Sequence, residues 1–210
     1  MTEEFFASVA GRRCTSVRLY VPQSGAWFVD AILDESAGDL TGRVSVILGT
    51  RSMSGTVVPA YSGSFVEQRS VRIVAGANGW GKHVPSKAYH SESGVKARTI
   101  ALDAAREVGE TLGSFDVVSD IGRIDYVRRA GWASTVLDNL LGDRIWWVDP
   151  DGTTRGGVRE NVAARSGSYN VLTYSPLNRQ ANIALDDPID LWVGMTISDR
   201  LADPQTIREI

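Results

Sequence analysis

Polar and apolar residues alternate along the first third of the chain with the two-residue period of a β-strand. The segment 16–21 alternates in this way, and the segment 26–33 is rich in bulky β-forming residues. Further strand-like segments, separated by polar or glycine-containing turns, lie at 43–48, 55–58 and 70–74. Short strands with turns every ~8–12 residues are typical of a barrel or a sandwich. We therefore expect a barrel-like β module over residues 1–75.

The middle of the chain changes to helical spacing. Apolar residues over 95–112 return to one face at intervals of three or four residues. Ser93 is placed to cap this helix, and Gly113 is placed to end it. A second, shorter helix is expected over 132–141. Residues 76–143 are therefore predicted to form a small helix-containing module.

Strand-like segments return in the last third. The run 144–149 leads into Pro-Asp-Gly, which favours a tight turn because proline presets φ and glycine accepts a positive φ. This pattern predicts a β-hairpin, and further β-prone pieces lie at 170–174, 183–185 and 191–197. Residues 144–210 are expected to form a second β module. The predicted fold class is α+β, mainly β, with barrel-like β modules flanking the small helix-containing module.

Composition and charge narrow the functional classes. Hydrophobic residues make up 43% and charged residues 22% of the 210 residues, as in ordinary globular proteins. The net charge of −3 argues against specific nucleic-acid binding, which needs clustered lysine and arginine. No apolar run reaches the ~20 residues of a membrane span, and a single cysteine, Cys14, excludes an intramolecular disulfide. We expect a chain that folds in a cytoplasm and has no membrane partner.

The sharpest candidate for ligand chemistry is the glycine-rich segment 76–83, with the sequence GANGWGKH. Its outer glycines and its lysine match the spacing of a phosphate-binding loop. Such a loop also needs a serine or threonine after the lysine to hold magnesium, and a helix whose amides cradle phosphate. Here His83 takes the hydroxyl position, and Pro85 falls where the helix would run. A nucleotide site and a connecting loop are both open from the sequence, and the connecting loop is favoured.

Other reactive side chains are scattered along the chain. His83 and His90 lie seven residues apart, which is not a compact metal-binding spacing. Cys14 and His83 could form a nucleophile pair, but no local pattern supports one. Asp149 and Asp151 could be the paired carboxylates of a glycosidase, yet aspartate beside proline and glycine is also what a tight turn requires. We favour the turn and expect no catalytic residue, no cofactor and no metal.

The six tryptophans carry the strongest indication of an interaction surface. Trp146 and Trp147 are adjacent, so their side chains face opposite sides of a strand. One ring can enter the core, whereas the other needs a cover such as a packed module or a partner subunit. We favour a partner and predict Trp146, Trp147 and Trp80 as subunit-interface residues. Trp27 and Trp192 are expected in the core.

Five segments between residues 17 and 159 carry a resemblance to a known family. They are LTGRVSVILGT, SGTVV, KAYHSESGVKARTIALDAAREVGETL, YVRRAGWASTVLDNLL and WWVDPDGTTRGGVRE. In this order they resemble the tail-tip proteins of tailed bacteriophages, in which a short helix precedes a tryptophan-bearing strand and a DPDG or PDGT hairpin. The pattern is also similar to the broader hub class, which includes the hub of contractile tails and the spike base of type VI secretion.

The resemblance implies a scaffolding role without catalytic residues. It implies a structural component of the phage tail tip, or baseplate hub, that assembles around the tail axis as a homotrimer and connects the tail tube to the central spike or fibre. The implied partners are the distal tail or tail-tube protein, the tape-measure protein and the spike or fibre protein, with DNA passing through the lumen. The implied location is the virion tail tip, after assembly in the host cytoplasm. A carbohydrate-binding module and a cell-wall hydrolase carried on the tail are the alternatives.

Overall fold

The computed structural model describes residues 6–34, 39–65, 68–117, 121, 123–159, 162–163, 169–175, 180–185, 192–197 and 205–206. The first seven strands are β1 (Ala7–Val9), β2 (Arg12–Tyr20), β3 (Phe28–Leu33), β4 (Arg43–Leu48), β5 (Arg51–Val57), β6 (Gly63–Phe65) and β7 (Gln68–Ala75). A short 3-10 helix, Pro59–Tyr61, precedes β6. Burial alternates along β3, β4 and β5, which is the two-residue period that the sequence shows.

Six of these strands close into an antiparallel barrel. Their order is β3-β2-β1-β4-β5-β7, and β3 also pairs with β7, which joins the two ends of the sheet. Val29 and Ile73 face each other across the closing pair, and both are completely buried. Strand β6 pairs with β7 outside this closed ring. The sequence left a barrel and a sandwich open, and the structure is a barrel.

Between residues 83 and 157, the described part of the chain forms two α-helices and seven strands after the barrel. They are β8 (His83–Val84), β9 (Lys87–His90), α1 (Ala97–Val108), β10 (Thr111–Phe115), β11 (Asp125–Arg128), β12 (Gly131–Trp132), α2 (Ala133–Leu141), β13 (Ile145–Val148) and β14 (Thr153–Gly157). Strand β14 lies between β13, its antiparallel neighbour, and β10, its parallel neighbour. Helix α1 packs on α2 and β10, and α2 packs on β13. Strand β8 pairs with β12, and β9 pairs with β11.

Helix α1 is shorter at both ends than the sequence predicts. It begins after Lys96, so Ser93 is not its cap, and it ends at Gly109, which adopts a left-handed conformation with φ of 82°. The next segment, β10, leaves the helix because it pairs in parallel with β14. The prediction of a helix through Leu112 that stops at Gly113 is wrong, since apolar spacing along the chain cannot reveal a pairing with a distant strand.

Helix α2 and the hairpin agree with their predictions. Helix α2 follows Trp132 and ends at Gly142. In the hairpin between β13 and β14, the Asp149 amide donates to the Thr153 carbonyl at 2.9 Å. Gly152 has a φ of 86°, the positive value that the turn chemistry requires. Both predictions are confirmed, because the glycine that ends the helix and the residues that form the turn act locally.

Short strands form the described part of the C-terminal region. They are β15 (Val162–Ala163), β16 (Tyr169–Ser175), β17 (Gln180–Leu185), β18 (Met195–Ile197) and β19 (Gln205–Thr206). Strands β16 and β17 form an antiparallel hairpin, which confirms the β-prone pieces at 170–174 and 183–185. In the predicted piece 191–197, β18 accounts for the last three residues, and residue 191 lies outside the described residues.

The fold is α+β and mainly β, as predicted. Among the described residues, one hydrophobic cluster extends from the barrel through both helices to Val193. The pairing of β10 with β14 crosses the boundary expected between residues 143 and 144, and the division into three modules stays a prediction. Neither α-helix in the described residues has the length and apolar character needed to span a bilayer.

Candidate interaction site

The turn between β13 and β14 lies against the barrel wall. The Pro150 carbonyl accepts a 2.7 Å hydrogen bond from the amide of Ser54 on β5. The Trp27 indole N–H, from just before β3, donates to the Asp149 carbonyl at 3.3 Å. Backbone carbonyls of the turn therefore join the helix-containing region to the barrel, and the tryptophans around this junction are the first candidates for an interaction site.

Trp80 and Trp146 form a buried aromatic pair at the junction. Their ring centroids lie 5.8 Å apart, and their exposed fractions are 3% and 6%. The Trp80 N–H donates to the Thr154 hydroxyl at 2.8 Å, and the Trp146 N–H donates to the Asp138 carboxylate at 2.9 Å. Both rings and both N–H groups are thus used inside the chain, where they pack the strands against helix α2.

Trp147 faces the other side of β13 and is partly exposed. Its N–H donates to Asp149 Oδ1 at 2.9 Å, and the Arg159 guanidinium lies over its ring, 5.0 Å from the centroid. Burial lowers the pKa of Arg159 to about 10, although the Asp149 carboxylate opposes this shift. The assignment of Trp146, Trp147 and Trp80 to a subunit interface stays a prediction. Of the three, Trp147 retains ring surface for a partner.

The two tryptophans expected in the core differ in burial. Trp27 is almost completely buried inside the barrel, so its prediction is confirmed. Trp192 is partly buried and packs against the hydrophobic core. The Arg51 guanidinium lies 4.0 Å from the centroid of its ring. Trp192 therefore lies at the edge of the core, with a cation on its outer face.

The glycine-rich segment binds a carboxylate of the chain itself. Glu110 Oε1 accepts a 2.6 Å hydrogen bond from the Gly79 amide, and Oε2 accepts one of 3.1 Å from the Ala77 amide. Burial raises the pKa of Glu110 above its ordinary value of 4.5, and these two amides oppose the rise. Strand β8 follows the lysine instead of a helix. The segment is a connecting loop, as favoured from the sequence, and these two amides already hold an internal anion.

The paired aspartates of the hairpin brace the turn. Asp149 Oδ1 accepts from Trp147, and Oδ2 accepts from the Arg155 guanidinium. Asp151 Oδ1 accepts from the Thr153 amide at 2.8 Å. Side chains of aspartate commonly close tight turns in this way. The contacts agree with the turn interpretation and give both carboxylates a structural use.

The histidines and the cysteine lie apart from these carboxylates in the strand pairs. The His83 ring contacts Trp132 edge to face, with centroids 4.2 Å apart, and His90 Nδ1 lies 2.7 Å from Asp125 Oδ1. Cys14 lies on β2, where burial raises the pKa of its thiol to about 11 and so disfavours the nucleophilic thiolate. Within the described residues, no three metal-ligating side chains come together.

Two concave regions adjoin the junction. A cavity of about 300 Å³ is lined in part by Trp80, Trp146 and Glu110. A groove of about 490 Å³ runs past Asp149 and Asp151. The carboxylates in both already accept hydrogen bonds from the chain. These regions therefore provide packing surface and not a free acid–base pair.

Sequence reasoning missed an exposed apolar surface on the short strand pairs. Strands β9 and β11, which we call the outer ribbon, expose Val127 by 62%, and Ala88 opposite it is also exposed. Ile124, just before β11, and Trp132 on β12 are each 54% exposed. The sequence carries no signal for the exposure of Trp132, because this residue lies four positions before Val136, on the apolar spacing of the helix expected over 132–141.

A network of ion pairs fixes the outer ribbon to helix α1. Arg128 is buried and donates to Glu107 at 2.6 Å. Lys87 and Tyr89 donate to the two oxygens of Asp103 at 2.8 Å and 2.7 Å. Burial of Asp103 acts to raise its pKa, but the hydrogen bonds from Lys87 and Tyr89 outweigh this, so the pKa is lowered. The network holds the ribbon's inner face on the helix and leaves the outer face in a fixed orientation.

Comparison with known proteins identifies similar folds. No family model matches the sequence, and no curated protein matches it significantly. The tail protein from Neisseria meningitidis MC58 is 14% identical with a TM-score of 0.53, over 88% of this chain and 68% of that one. The 43 kDa tail protein of prophage MuSo2 from Shewanella oneidensis is 12% identical with a TM-score of 0.51, over 80% of this chain and 59% of that one. At these identities the likeness is one of fold.

Proposed function

We propose that the chain is a structural component of a bacteriophage tail, located at the tail tip as part of the baseplate hub. The observation that carries this proposal is the fold, which aligns with two tail proteins, one of them from a prophage, over 88% and 80% of the chain. Fold by itself does not specify function. The sequence resemblance to tail-tip proteins adds a second line of support, because it rests on the order of segments along the chain.

A scaffolding role also fits the chemistry of the described residues. The carboxylates of Glu110, Asp149 and Asp151 hold a loop and a turn, and the buried indoles of Trp80 and Trp146 fill a junction. The side chains that could suggest catalysis are thus accounted for by local structure. The proposal therefore assigns the chain no reaction and no cofactor.

The proposed assembly is a homotrimer around the tail axis. It would connect the tail-tube end to the central spike or fibre and contact the tape-measure protein, in a virion assembled in the host cytoplasm. A closed ring requires each copy to present complementary surfaces to its neighbours. DNA must pass through such a ring, and a net charge of −3 disfavours adhesion of phosphate to its lumen.

Deletion of the gene from the phage that encodes the chain tests the proposed role. Electron microscopy of the lysate is expected to show heads without complete tails, and supply of the wild-type chain in trans is expected to restore them. Normal tails in the absence of the chain would contradict the proposal. A hydrolase or carbohydrate-binding module carried on the tail would give that contrary result, with normal tails and a loss of infection alone.

A further inference from the structure

Glu110 is a buried carboxylate that forms no ion pair with the described part of the chain. Its exposed fraction is 7%, and its oxygens accept hydrogen bonds from the amides of Ala77 and Gly79. An ionised carboxylate offers about four acceptor positions, so these two amides leave part of its capacity unused. Burial of the charge raises the pKa of Glu110, which shows that the ionised form is held at a cost. A cation from another molecule would lower this cost.

Two basic side chains act on Glu110 through space and not by contact. Lys82 Nζ donates to the Val108 carbonyl at 3.4 Å, and Arg43 Nη2 donates to the Asp151 carbonyl at 3.0 Å. Both charges act to lower the pKa of Glu110, but burial has the larger effect. The chain's own cations therefore compensate the carboxylate only in part.

The cavity beside Glu110 has the size and the walls of a small-molecule site. Its volume of about 300 Å³ is at the lower end of the range for ligand pockets. The indoles of Trp80 and Trp146 line it together with Ser134 and Gly81. Gly81 is exposed, and a Cβ there would meet nothing within 4 Å, so the cavity is open on this side. A small ligand can thus enter from solvent.

These walls favour an organic ammonium group over a metal ion. Calcium takes about six to eight oxygen ligands, and magnesium requires a nearly octahedral set. Within the described residues, no three metal-ligating side chains come together. An alkylammonium group needs a single carboxylate, its alkyl chain is compatible with apolar walls, and indole is the side chain that attracts cations most strongly. The Ser134 hydroxyl can accept a further N–H group.

We propose that the cavity lined by Glu110, Trp80 and Trp146 binds an alkylammonium group. The ammonium pairs with the Glu110 carboxylate, and the alkyl chain lies against the two indoles. A free aliphatic amine and the tip of a lysine side chain from a neighbouring protein share this chemistry. The site is additional to the proposed structural role and does not depend on it.

Titration of the full-length, isotope-labelled protein with n-butylammonium chloride tests the site. The indole N–H resonances of Trp80 and Trp146 report binding by NMR. We expect a dissociation constant of about 1 mM or lower, and binding at least about tenfold weaker for the neutral n-butanol at the same ionic strength. Equal binding of the two compounds would overturn the proposal, as would indole resonances that do not move with n-butylammonium.

Two variants separate the ion pair from the cavity. Glu110→Gln removes the charge and is expected to weaken n-butylammonium binding at least about tenfold. Glu92→Gln, at an exposed position, is the matched control and is expected to bind as the wild type does. Ser134→Leu keeps the Glu110 loop but fills the cavity, so it is expected to abolish binding even if Glu110→Gln does not fold. Circular dichroism checks the fold, and unchanged binding in either folded variant would refute the site.

A blocked lysine, Nα-acetyl-lysine methylamide, distinguishes the two sources of the ammonium group. Binding as tight as that of n-butylammonium would support a lysine side chain of a neighbouring protein, and much weaker binding would support a free amine. The tail does not enter any of these measurements. Failure of the ammonium site would therefore leave the proposed structural role intact, and absence of the chain from tails would leave the site intact.

Discussion

Glu110 holds the glycine-rich loop from 31 and 33 residues away along the chain. Its approach requires a glycine at position 79, where a Cβ would lie 2.5 Å from the Val108 carbonyl oxygen and 2.8 Å from Glu110 Cγ. The requirement for glycine at this position is steric. The glycine spacing that suggests a phosphate site is thus explained in part by a structural carboxylate and its close contacts.

Gly79→Ala is expected to destabilise the protein by about 1–3 kcal/mol, because the new methyl group has no room beside backbone and carboxylate. Gly81→Ala is the matched control, since a Cβ there meets nothing within 4 Å. Urea denaturation of both variants measures the difference in the free energy of unfolding. Two variants of equal stability would show that the packing around the loop is misassigned.

Single residues were predictable from the sequence where the signal was local. His83 and Pro85 disfavoured a phosphate loop, and the structure has a connecting loop there. Glu110 could not be assigned as its ligand, because the fold alone brings that carboxylate to the loop. The alternation of Trp146 and Trp147 predicted that one indole would be buried, but it could not decide which, since either face of β13 could have met the core.

Some helices and strands are determined by their own residues, and others by pairing with a distant part of the chain. The hairpin of β13 and β14 follows from its own turn residues, and helix α2 follows from apolar spacing that ends at Gly142. Strand β10 depends on Thr111 lying beside Thr153, and β1 depends on Ala7 lying beside Leu48. The spacing of apolar residues carries no information about such pairings. For this reason the sequence does not predict β1, and it predicts a first helix that is too long.

The hairpin gives a prediction at the scale of the element. Asp149→Asn keeps the size of the side chain but removes the charge that Arg155 and Trp147 contact. The expected loss is about 1–3 kcal/mol, the range for a charge-assisted hydrogen bond that is only partly buried. Asp143→Asn, on the exposed loop before β13, is the control. Thermal denaturation compares the two, and an unchanged Asp149→Asn protein would contradict the bracing role.

At the scale of the whole molecule, some apolar side chains are buried in a shared core and others are exposed. A closed barrel, two helices and a three-stranded sheet share one hydrophobic cluster. The outer ribbon packs against this cluster through Tyr89 and Tyr126, whereas Val127 on its other face and Leu172 of β16 are exposed. Burial of apolar surface drives association as it drives folding. These exposed side chains fit the proposed role as a subunit of a tail.

Quantitative mass spectrometry of purified tails tests the central claim most directly. The account predicts that the chain is present in every tail at three copies, retained through washing in high salt, and absent from purified heads. A chain that is absent from tails, or present in amounts unrelated to the number of tails, would contradict the assignment to the tail tip.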